Sequence, residues 1–208
     1  MGNKTRKMGK KAVISVLFLT FCVLQAPIAQ ASLVFKMSPK EMTKVAKEVR
    51  MGEVVSTWTS PHPVNKMIYT YVKIRVNQTF KGQERSEILL RQPGGTYTYP
   101  ENKQTYRQKV FGMQTFEKGE KGIFFIDYDK DGAPNVMFQG KHKILRDPTT
   151  DQEQAYESFS RDVKYVDQEL QPVQSKHSMF AKQEVRNLGA LIDEINQAVE
   201  EERKGQHP

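Results

Sequence analysis

The chain has 208 residues, with 32 basic and 24 acidic side chains, a formal net charge of +8 and a single cysteine. This length is enough for one domain with a core of its own. One cysteine excludes both an intrachain disulfide and a metal site built on several thiolates. The excess of basic residues is concentrated at the N-terminus, so it does not indicate the basic surface that nucleic-acid binding requires.

Residues 1–31 have the features of a secretory signal peptide. Residues 1–11 carry five basic side chains and no acidic one, residues 12–24 are apolar, and Ala29-Gln30-Ala31 is a small-x-small cleavage site. The apolar run is shorter than the stretch of about 20 residues that a transmembrane helix needs, and an uncleaved membrane anchor is the alternative. Cleavage leaves 27 basic and 24 acidic residues, a net charge of +3, and no cysteine. We therefore expect a periplasmic or extracellular protein with no transmembrane span in its mature form.

The mature chain is expected to begin with a short helix. Ser38 is a good N-cap, Pro39 suits the first helical position, and Glu41 completes a capping box. Apolar residues follow at helical spacing, which predicts about three turns ending near Gly52.

Five segments bounded by turn residues then predict strands. In residues 68–76 the apolar and polar side chains alternate, which is typical of a half-buried antiparallel strand. A further short strand is expected around 109–113, inside a long polar loop. Several short strands separated by turn signals favour a small antiparallel barrel or sandwich. The five predicted strands are 52–61, 68–76, 86–95, 122–129 and 135–145.

The chain after residue 145 changes in composition. Residues 146–177 are polar and acid-rich, which predicts a partly flexible connection with short helices. Residues 178–203, with Ser178 as N-cap, predict an amphipathic helix that packs on the β domain, and docking to a partner helix is the alternative. Its apolar stripe consists of Ala181, Val185, Leu188, Ile192, Ile195 and Val199.

The acidic stretch Asp127, Asp129 and Asp131, followed by Gly132, matches the first positions of a calcium loop. The twelfth position of that loop is Phe138, which offers no oxygen ligand. The segments before and after the acidic stretch are predicted strands, whereas a calcium loop of this kind lies between helices. A β-hairpin turn is therefore the preferred interpretation, and a weak surface calcium site is the alternative. No catalytic motif is present, so we expect neither an enzyme nor a cofactor.

Aromatic and basic side chains are the candidate binding residues. Tyr69, Tyr71, Lys73 and Arg75 alternate outward on one predicted strand, and Lys141 and Lys143 are expected to point outward on another. Such a face suits stacking on bases or sugars, and an ordinary solvated sheet face is the alternative. Tyrosines in the long polar loop suit protein recognition. The remaining candidates are Tyr97 and Tyr99, which share the polar loop with Tyr106, and Trp58, for which a position in the core is the alternative.

Several short motifs support a family resemblance. Gly52-Glu53-Val54, Lys81-Gly82 and Phe116-Glu117-Lys118-Gly119 occur in order around the predicted strands. Over roughly residues 49–145 the chain resembles exported bacterial proteins of unknown function, and it is similar to the netrin-like domain of tissue inhibitors of metalloproteinases. The resemblance implies an OB-type five-stranded barrel with helices beside it. Those inhibitors place an N-terminal cysteine on the protease zinc, whereas the predicted mature chain begins with Ser32.

The expected fold is therefore mainly β with flanking helices. A small five-stranded antiparallel OB-like barrel with a short N-terminal helix occupies residues 32–145, and the amphipathic C-terminal helix packs on it. The expected function is non-enzymatic binding of another exported protein, a protease being one candidate partner. Inhibition of a metalloprotease and binding of a polysaccharide or oligonucleotide are the alternatives.

Overall fold

The computed structural model describes residues 32–158, 163–166, 169 and 184–205. The predicted signal peptide, residues 1–31, lies outside the described residues, as does Ser178. No helix in the described part of the chain is long and apolar enough to cross a membrane. The elements, in chain order, are β1 (Ser32–Phe35), α1 (Pro39–Val45), β2 (Glu48–Pro61), β3 (Ile68–Lys81), β4 (Glu87–Pro93), β5 (Gly95–Thr98), β6 (Thr105–Gln108), β7 (Lys121–Tyr128), β8 (Pro134–Arg146), β9 (Glu153–Glu157), β10 (Val163–Val166), β11 (Glu184–Asn187) and α2 (Leu188–Gly205).

An open antiparallel sheet of seven strands, in the order β11-β9-β8-β7-β2-β3-β4, forms the body of the molecule. The five predicted strands are all present, as β2, β3, β4, β7 and β8, and the mainly β class is confirmed. The sheet differs from the expected closed five-stranded barrel because it continues past β8 into β9 and β11. Two small ladders, β1-β10 and β5-β6, complete the described strands.

Irregular pairing curls this open sheet. The β2–β3 ladder shifts register between Met51 and Gly52, and a Cβ atom at Gly52 would lie 2.3 Å from the carbonyl oxygen of Arg75. Only glycine allows the two backbones to approach so closely. The curl brings β4 towards β8, where Gln92 Nε2 donates a hydrogen bond to the carbonyl oxygen of Val136 over 3.1 Å.

Two apolar clusters lie on opposite sides of the sheet, because successive side chains of a strand point to opposite faces. The first lies between the sheet and the two helices, and the second lies inside the curl of β2, β3, β4, β7 and β8. The helix-side cluster contains Met42, Ala46, Val49, Phe80, Ile123, Phe125, Ile144, Ala155, Leu188, Leu191, Ile195 and Val199. The curl-side cluster contains Val54, Val72, Ile74, Ile88, Leu90, Phe124, Ile126 and Val136.

Helix α1 begins as predicted and ends earlier. Glu41 N donates to Ser38 Oγ over 3.2 Å, and the Glu41 carboxylate accepts from the backbone N–H of Ser38 over 2.7 Å, so the capping box is formed. The helix has seven residues instead of three turns. The prediction of an end near Gly52 is wrong, because Glu48 and Arg50 already pair with β7.

Helix α2 begins at Leu188, and the prediction that it begins at residue 178 is wrong. Glu184–Asn187 forms strand β11 beside β9, and Asn187 Oδ1 then accepts from the N–H of Ala190 over 3.2 Å. Asn187 is therefore the N-cap. Leu188, Ile195 and Val199 are buried against the sheet, which confirms that this part of the apolar stripe packs on the β domain.

The segment predicted as a polar connection contributes strand β9, so the expectation of short helices is wrong over Glu153–Glu157. Its Ala155 is buried opposite Ile144 of β8. The polar loop also differs from expectation, since its extra strands are β5 and β6 and not residues 109–113.

The prediction that Lys141 points outward is wrong, because its side chain is buried. The β7–β8 ladder has an irregular register, and the segment before β7 covers this part of β8. Lys141 Nζ lies 2.7 Å from Glu120 Oε1 and 5.1 Å from the centre of the Phe116 ring. Lys143 is half-buried and lies 3.8 Å from Glu117.

Candidate interaction surface

The solvent side of β2, β3 and β4 forms a continuous surface that we call the aromatic face. Trp58 pairs with Tyr71 across β2 and β3, and Tyr71 pairs with Arg91 across β3 and β4. The intervening residues Val72 and Leu90 are buried in the curl, so the alternation predicted for β3 extends to β4. The aromatic face consists of Trp58, Tyr71, Lys73, Arg75, Leu89 and Arg91.

Two rings and one aliphatic side chain form the apolar centre of the aromatic face. The rings of Trp58 and Tyr71 are stacked, with centroids 5.5 Å apart and planes 12° apart. Trp58 is 44 % exposed and Leu89 is 46 % exposed. A cross-strand aromatic pair fixes both rings with about 0.5–1.5 kcal/mol beyond burial. The face therefore presents rigid apolar area to solvent.

Each cation of the aromatic face has an acidic partner. Lys73 Nζ lies 2.7 Å from Glu87 Oε2, and Arg75 Nη2 lies 3.9 Å from Glu53 Oε1. Arg91 Nη2 lies 2.5 Å from Asp129 Oδ2. The face is consequently close to neutral, and it lacks the unpaired cations that an oligonucleotide-binding surface uses for phosphates.

Tyr69 does not belong to the aromatic face, although the sequence alternation places it there. It is buried, with the guanidinium of Arg91 4.9 Å above the centre of its ring. The His62 ring packs against it edge-on, with the centroids 5.8 Å apart. These neighbours come from β4 and from the loop after β2, so they cannot be read from the period of β3 alone.

Asp129 and Asp131 lie in the β7–β8 hairpin loop, where Arg91 binds them both. The second contact joins Arg91 Nη2 to Asp131 Oδ2 over 2.9 Å. Asp129 Oδ1 accepts from the backbone N–H groups of Asp131 and Ala133, each over 2.9 Å, which closes the turn. Asp127 Oδ1 accepts from the N–H of Tyr128. Among the described residues no three His, Cys, Asp or Glu side chains form a group that could hold a metal ion.

A buried ionic network lies at the start of β2. Arg50 is fully buried and donates from Nε to Glu48 Oε2 over 2.6 Å, and Arg85 Nη2 lies 3.1 Å from Glu48 Oε1. Tyr128 donates its hydroxyl to the same carboxylate. Burial and this carboxylate raise the pKa of Tyr128 above its ordinary value. The groups bind one another and join β2, β7 and the loop after β3, so the network is structural.

Five described carboxylates have pKa values below the ordinary ones, and two of them, Glu48 and Asp129, bind arginine side chains. Burial acts to raise the pKa of Glu48, but hydrogen bonds from Arg50 and Tyr128 hold it below its ordinary value. Burial likewise acts to raise the pKa of Asp129, and hydrogen bonds from Arg91 and from the N–H of Ala133 hold it below its ordinary value. At a pH between the folded-state pKa and the unfolded-state pKa of either group, the unfolded chain binds more protons than the folded one. Their stabilisation is therefore complete above the unfolded pKa and is lost as pH falls through the folded pKa.

We expect the free energy of unfolding to decrease as pH falls below about 4.5, the ordinary value for Glu48. Urea titrations at a series of pH values between neutrality and strong acid measure this. Asp129→Asn removes one of these five carboxylates and should flatten part of the acid slope. A free energy of unfolding that rises on acidification would contradict this account.

A second aromatic group lies on the β5–β6 hairpin. Tyr97 and Tyr99 meet edge to face with centroids 5.0 Å apart, and Tyr99 and Tyr106 do so at 5.5 Å. Thr59 Oγ1 donates to the carbonyl oxygen of Thr96 over 2.6 Å, which fastens the hairpin to β2. The structure therefore brings Tyr97 and Tyr99 together, on an element separate from Trp58 and Tyr71.

A surface depression of about 450 Å³ lies between the start of β7 and the end of β8. Its lining mixes cations such as Lys121 and Arg146 with acids such as Glu117 and Glu153. Lys143, also in the lining, is placed between Glu117 and Glu120 at 3.8 and 4.0 Å. The charges in the depression partly neutralise one another.

Sequence reasoning overlooked Leu89 and Arg91. Both could have been found, since Ile88 and Leu90 alternate with them along β4 and occupy the curl. Tyr106 was recognised as a tyrosine of the polar loop, but it becomes a neighbour of Tyr99 only through the pairing of β5 with β6.

Neither protein-family models nor curated protein sequences give a match to this chain.

Proposed function

We propose that the protein is an exported, non-enzymatic binding protein that recognises another protein through the aromatic face. The observation that supports this most directly is the exposed Trp58–Tyr71 stack beside Leu89, in a surface whose cations are already paired. Protein interfaces favour aromatic residues and arginine at their energetic centre. Because the rings are held by each other and by the sheet, little conformational entropy is lost on binding.

Charge neutrality distinguishes this proposal from nucleic-acid binding. Lys73, Arg75 and Arg91 are bound to carboxylates, so few counterions would be released on association. Binding of the partner should therefore change little between low and physiological salt. The groups with shifted pKa values near the aromatic face are Arg91 and Asp129, and they form an ion pair with each other. Their shifts are thus explained by this structural contact, which supports a non-enzymatic role.

We also propose that the curled part of the sheet is OB-like. The five strands expected from the netrin-like resemblance are consecutive in the sheet, as β8-β7-β2-β3-β4. The hydrogen bond from Gln92 to Val136 links the outer two of them. Under this proposal a secreted metalloprotease is one candidate partner, and an inhibitory role would require the partner to lose activity when bound.

Trp58→Ala is expected to weaken partner binding by about 30-fold or more, the effect of removing an interface residue worth about 2 kcal/mol. Ser32–Pro208, a compact unit of the chain, would be immobilised and exposed to envelope and secreted proteins of the organism that makes it. The amount of each retained protein is then compared between the parent and the variant by mass spectrometry.

Val45→Ala is the matched control, because Val45 is 54 % exposed but lies on α1, which contacts β3 at Lys81, ten residues along the strand from Tyr71. It should leave the retained proteins unchanged. The proposal is wrong if no protein is retained in a stoichiometric amount, or if Trp58→Ala and Val45→Ala retain the same proteins equally.

A polysaccharide is the second candidate partner, and the near-parallel, exposed rings of Trp58 and Tyr71 favour it. Flat aromatic surfaces stack on the apolar faces of sugar rings. Retention of a glycan that survives protease treatment of the fraction, and is lost in Trp58→Ala, would select this candidate over the first.

A further inference from the structure

We propose that the end of the molecule next to the aromatic face, formed by other residues, docks on an anionic phospholipid surface. This end, the cationic tip, consists of the β2–β3 loop and the β5–β6 hairpin with the turn that follows it. Its apolar members are Val64, Met67, Tyr106 and Phe111, and its basic members are Lys66, Lys103, Arg107 and Lys109.

The two parts of the cationic tip are held side by side. The N–H of Ile68, the first residue after the β2–β3 loop, donates to Gln108 Oε1 over 3.0 Å. The carbonyl oxygen of Ile68 accepts from the N–H of Gly94 over 2.8 Å, immediately before the β5–β6 hairpin. Gln108, which lies between Arg107 and Lys109 in the sequence, thus joins the hairpin to the residue that follows Met67.

The tip presents exposed apolar side chains on its loops and on β6. Val64 is 82 % exposed, Phe111 is 55 % exposed and Tyr106 is 50 % exposed. The loop that carries Val64 is ordered by a hydrogen bond from the N–H of His62 to the carbonyl oxygen of Met67, at 2.8 Å. Exposed apolar side chains at the end of a hairpin can enter the boundary between headgroups and acyl chains, and tyrosine is favoured at that depth.

The charge of the tip is complementary to anionic lipid. Residues 61–67 and 95–113 contain four basic residues and one acidic residue, Glu101, a net charge of +3. Residues 32–208 as a whole also carry +3, so the rest of that part of the chain is neutral in sum. Within the described residues Lys66, Lys103 and Arg107 have no acidic partner. Unpaired cations beside exposed apolar groups are typical of proteins that bind anionic membrane surfaces.

The test is sedimentation of Ser32–Pro208 with lipid vesicles, the shortened chain being used so that the apolar run of residues 12–24 cannot itself insert. Vesicles of phosphatidylcholine containing about one-third phosphatidylglycerol should retain the protein. Pure phosphatidylcholine should retain it far less, and salt should reduce retention by screening. No retention on anionic vesicles, or equal retention on both, would overturn the proposal.

Two variants and a matched control locate the contact. The triple variant Lys66→Gln/Lys103→Gln/Arg107→Gln should weaken anionic-vesicle binding by about a hundredfold, at about fivefold for each cation. Val64→Ser, which leaves the net charge unchanged, should weaken it through lost apolar contact. The control Lys118→Gln/Lys121→Gln/Lys130→Gln removes three exposed cations elsewhere and should have little effect.

Equal weakening in the two triple variants would show attraction by net charge alone and would also overturn the proposal. Because the tip and the aromatic face use different residues, Trp58→Ala should leave vesicle binding unchanged. Failure of the lipid proposal is thus distinguishable from failure of the proposed protein recognition.

Discussion

Arg50→Ala is expected to lower the free energy of unfolding by about 3–5 kcal/mol, because it leaves a buried carboxylate without its main partner. Arg50 is fully buried and its Nε lies 2.6 Å from Glu48 Oε2. It also donates from Nη1 to Thr79 Oγ1 over 2.8 Å and from Nη2 to the carbonyl oxygen of Gln83. The loss can be measured by urea denaturation followed by far-ultraviolet circular dichroism.

The matched control is Arg75→Ala, in which the ion pair removed is exposed and spans 3.9 Å. Its effect should be within about 1 kcal/mol, as for most surface pairs. Arg50→Met distinguishes the loss of charge from the loss of volume. The methionine side chain fills much of the space left by arginine, so the variant should still destabilise the fold if the lost charge is responsible. If Arg50→Ala and Arg75→Ala unfold at the same urea concentration, the buried network does not contribute to stability in the way described.

Ile195→Ala is expected to lower the free energy of unfolding by about 2–5 kcal/mol. Ile195 is fully buried in the helix-side cluster, which also contains Phe125 of β7 and Met42 of α1. Removing its side chain loses the transfer free energy of the buried methyl groups and leaves a cavity that the sheet cannot easily fill. The same denaturation measurement gives the value.

Asn196→Ala is the control for this variant, since Asn196 is the exposed neighbour of Ile195 on α2. Alanine suits a helix interior better than asparagine, so the control should leave the free energy of unfolding unchanged or raise it by less than about 0.7 kcal/mol. A loss below about 1 kcal/mol in Ile195→Ala would mean that α2 is not packed on the sheet through this side chain, because buried isoleucines normally cost more to truncate.

The strands with a clear alternation were predictable from the sequence. In β3, Val72 and Ile74 face the curl while Lys73 and Arg75 face solvent, as the period of two requires. The continuous apolar run of β7 is typical of a strand buried on both sides, and Phe124 and Phe125 belong to opposite clusters.

Elements that depend on distant pairing were not predictable. Strand β9 has only one fully apolar buried residue, Ala155, and exists because it pairs with β8. Val185 matched the helical stripe in sequence, but Glu184–Asn187 pairs with β9 and the helix starts only at Leu188. In both cases tertiary contacts override local preference.

The candidate site shows the same division. The outward position of Tyr71 followed from the predicted strand, whereas the sequence left open whether Trp58 lies in the core or on the same face. Their stacking depends on the β2–β3 register, which local periodicity does not fix. The burial of Tyr69 depends on Arg91, which Asp129 orients from the β7–β8 hairpin. The sequence predicted a basic-aromatic surface, but ion pairs between separate elements make the observed surface nearly neutral.

The central claim is that the aromatic face contacts a partner protein, and site-specific photocrosslinking tests it most directly. A photoreactive phenylalanine analogue would replace Leu89 in one sample and Val45, on α1, in another, and both would be irradiated in the organism that makes the protein. The account predicts a discrete protein adduct from position 89 and none from position 45. Adducts of equal yield at both positions, or no adduct at position 89, would contradict it.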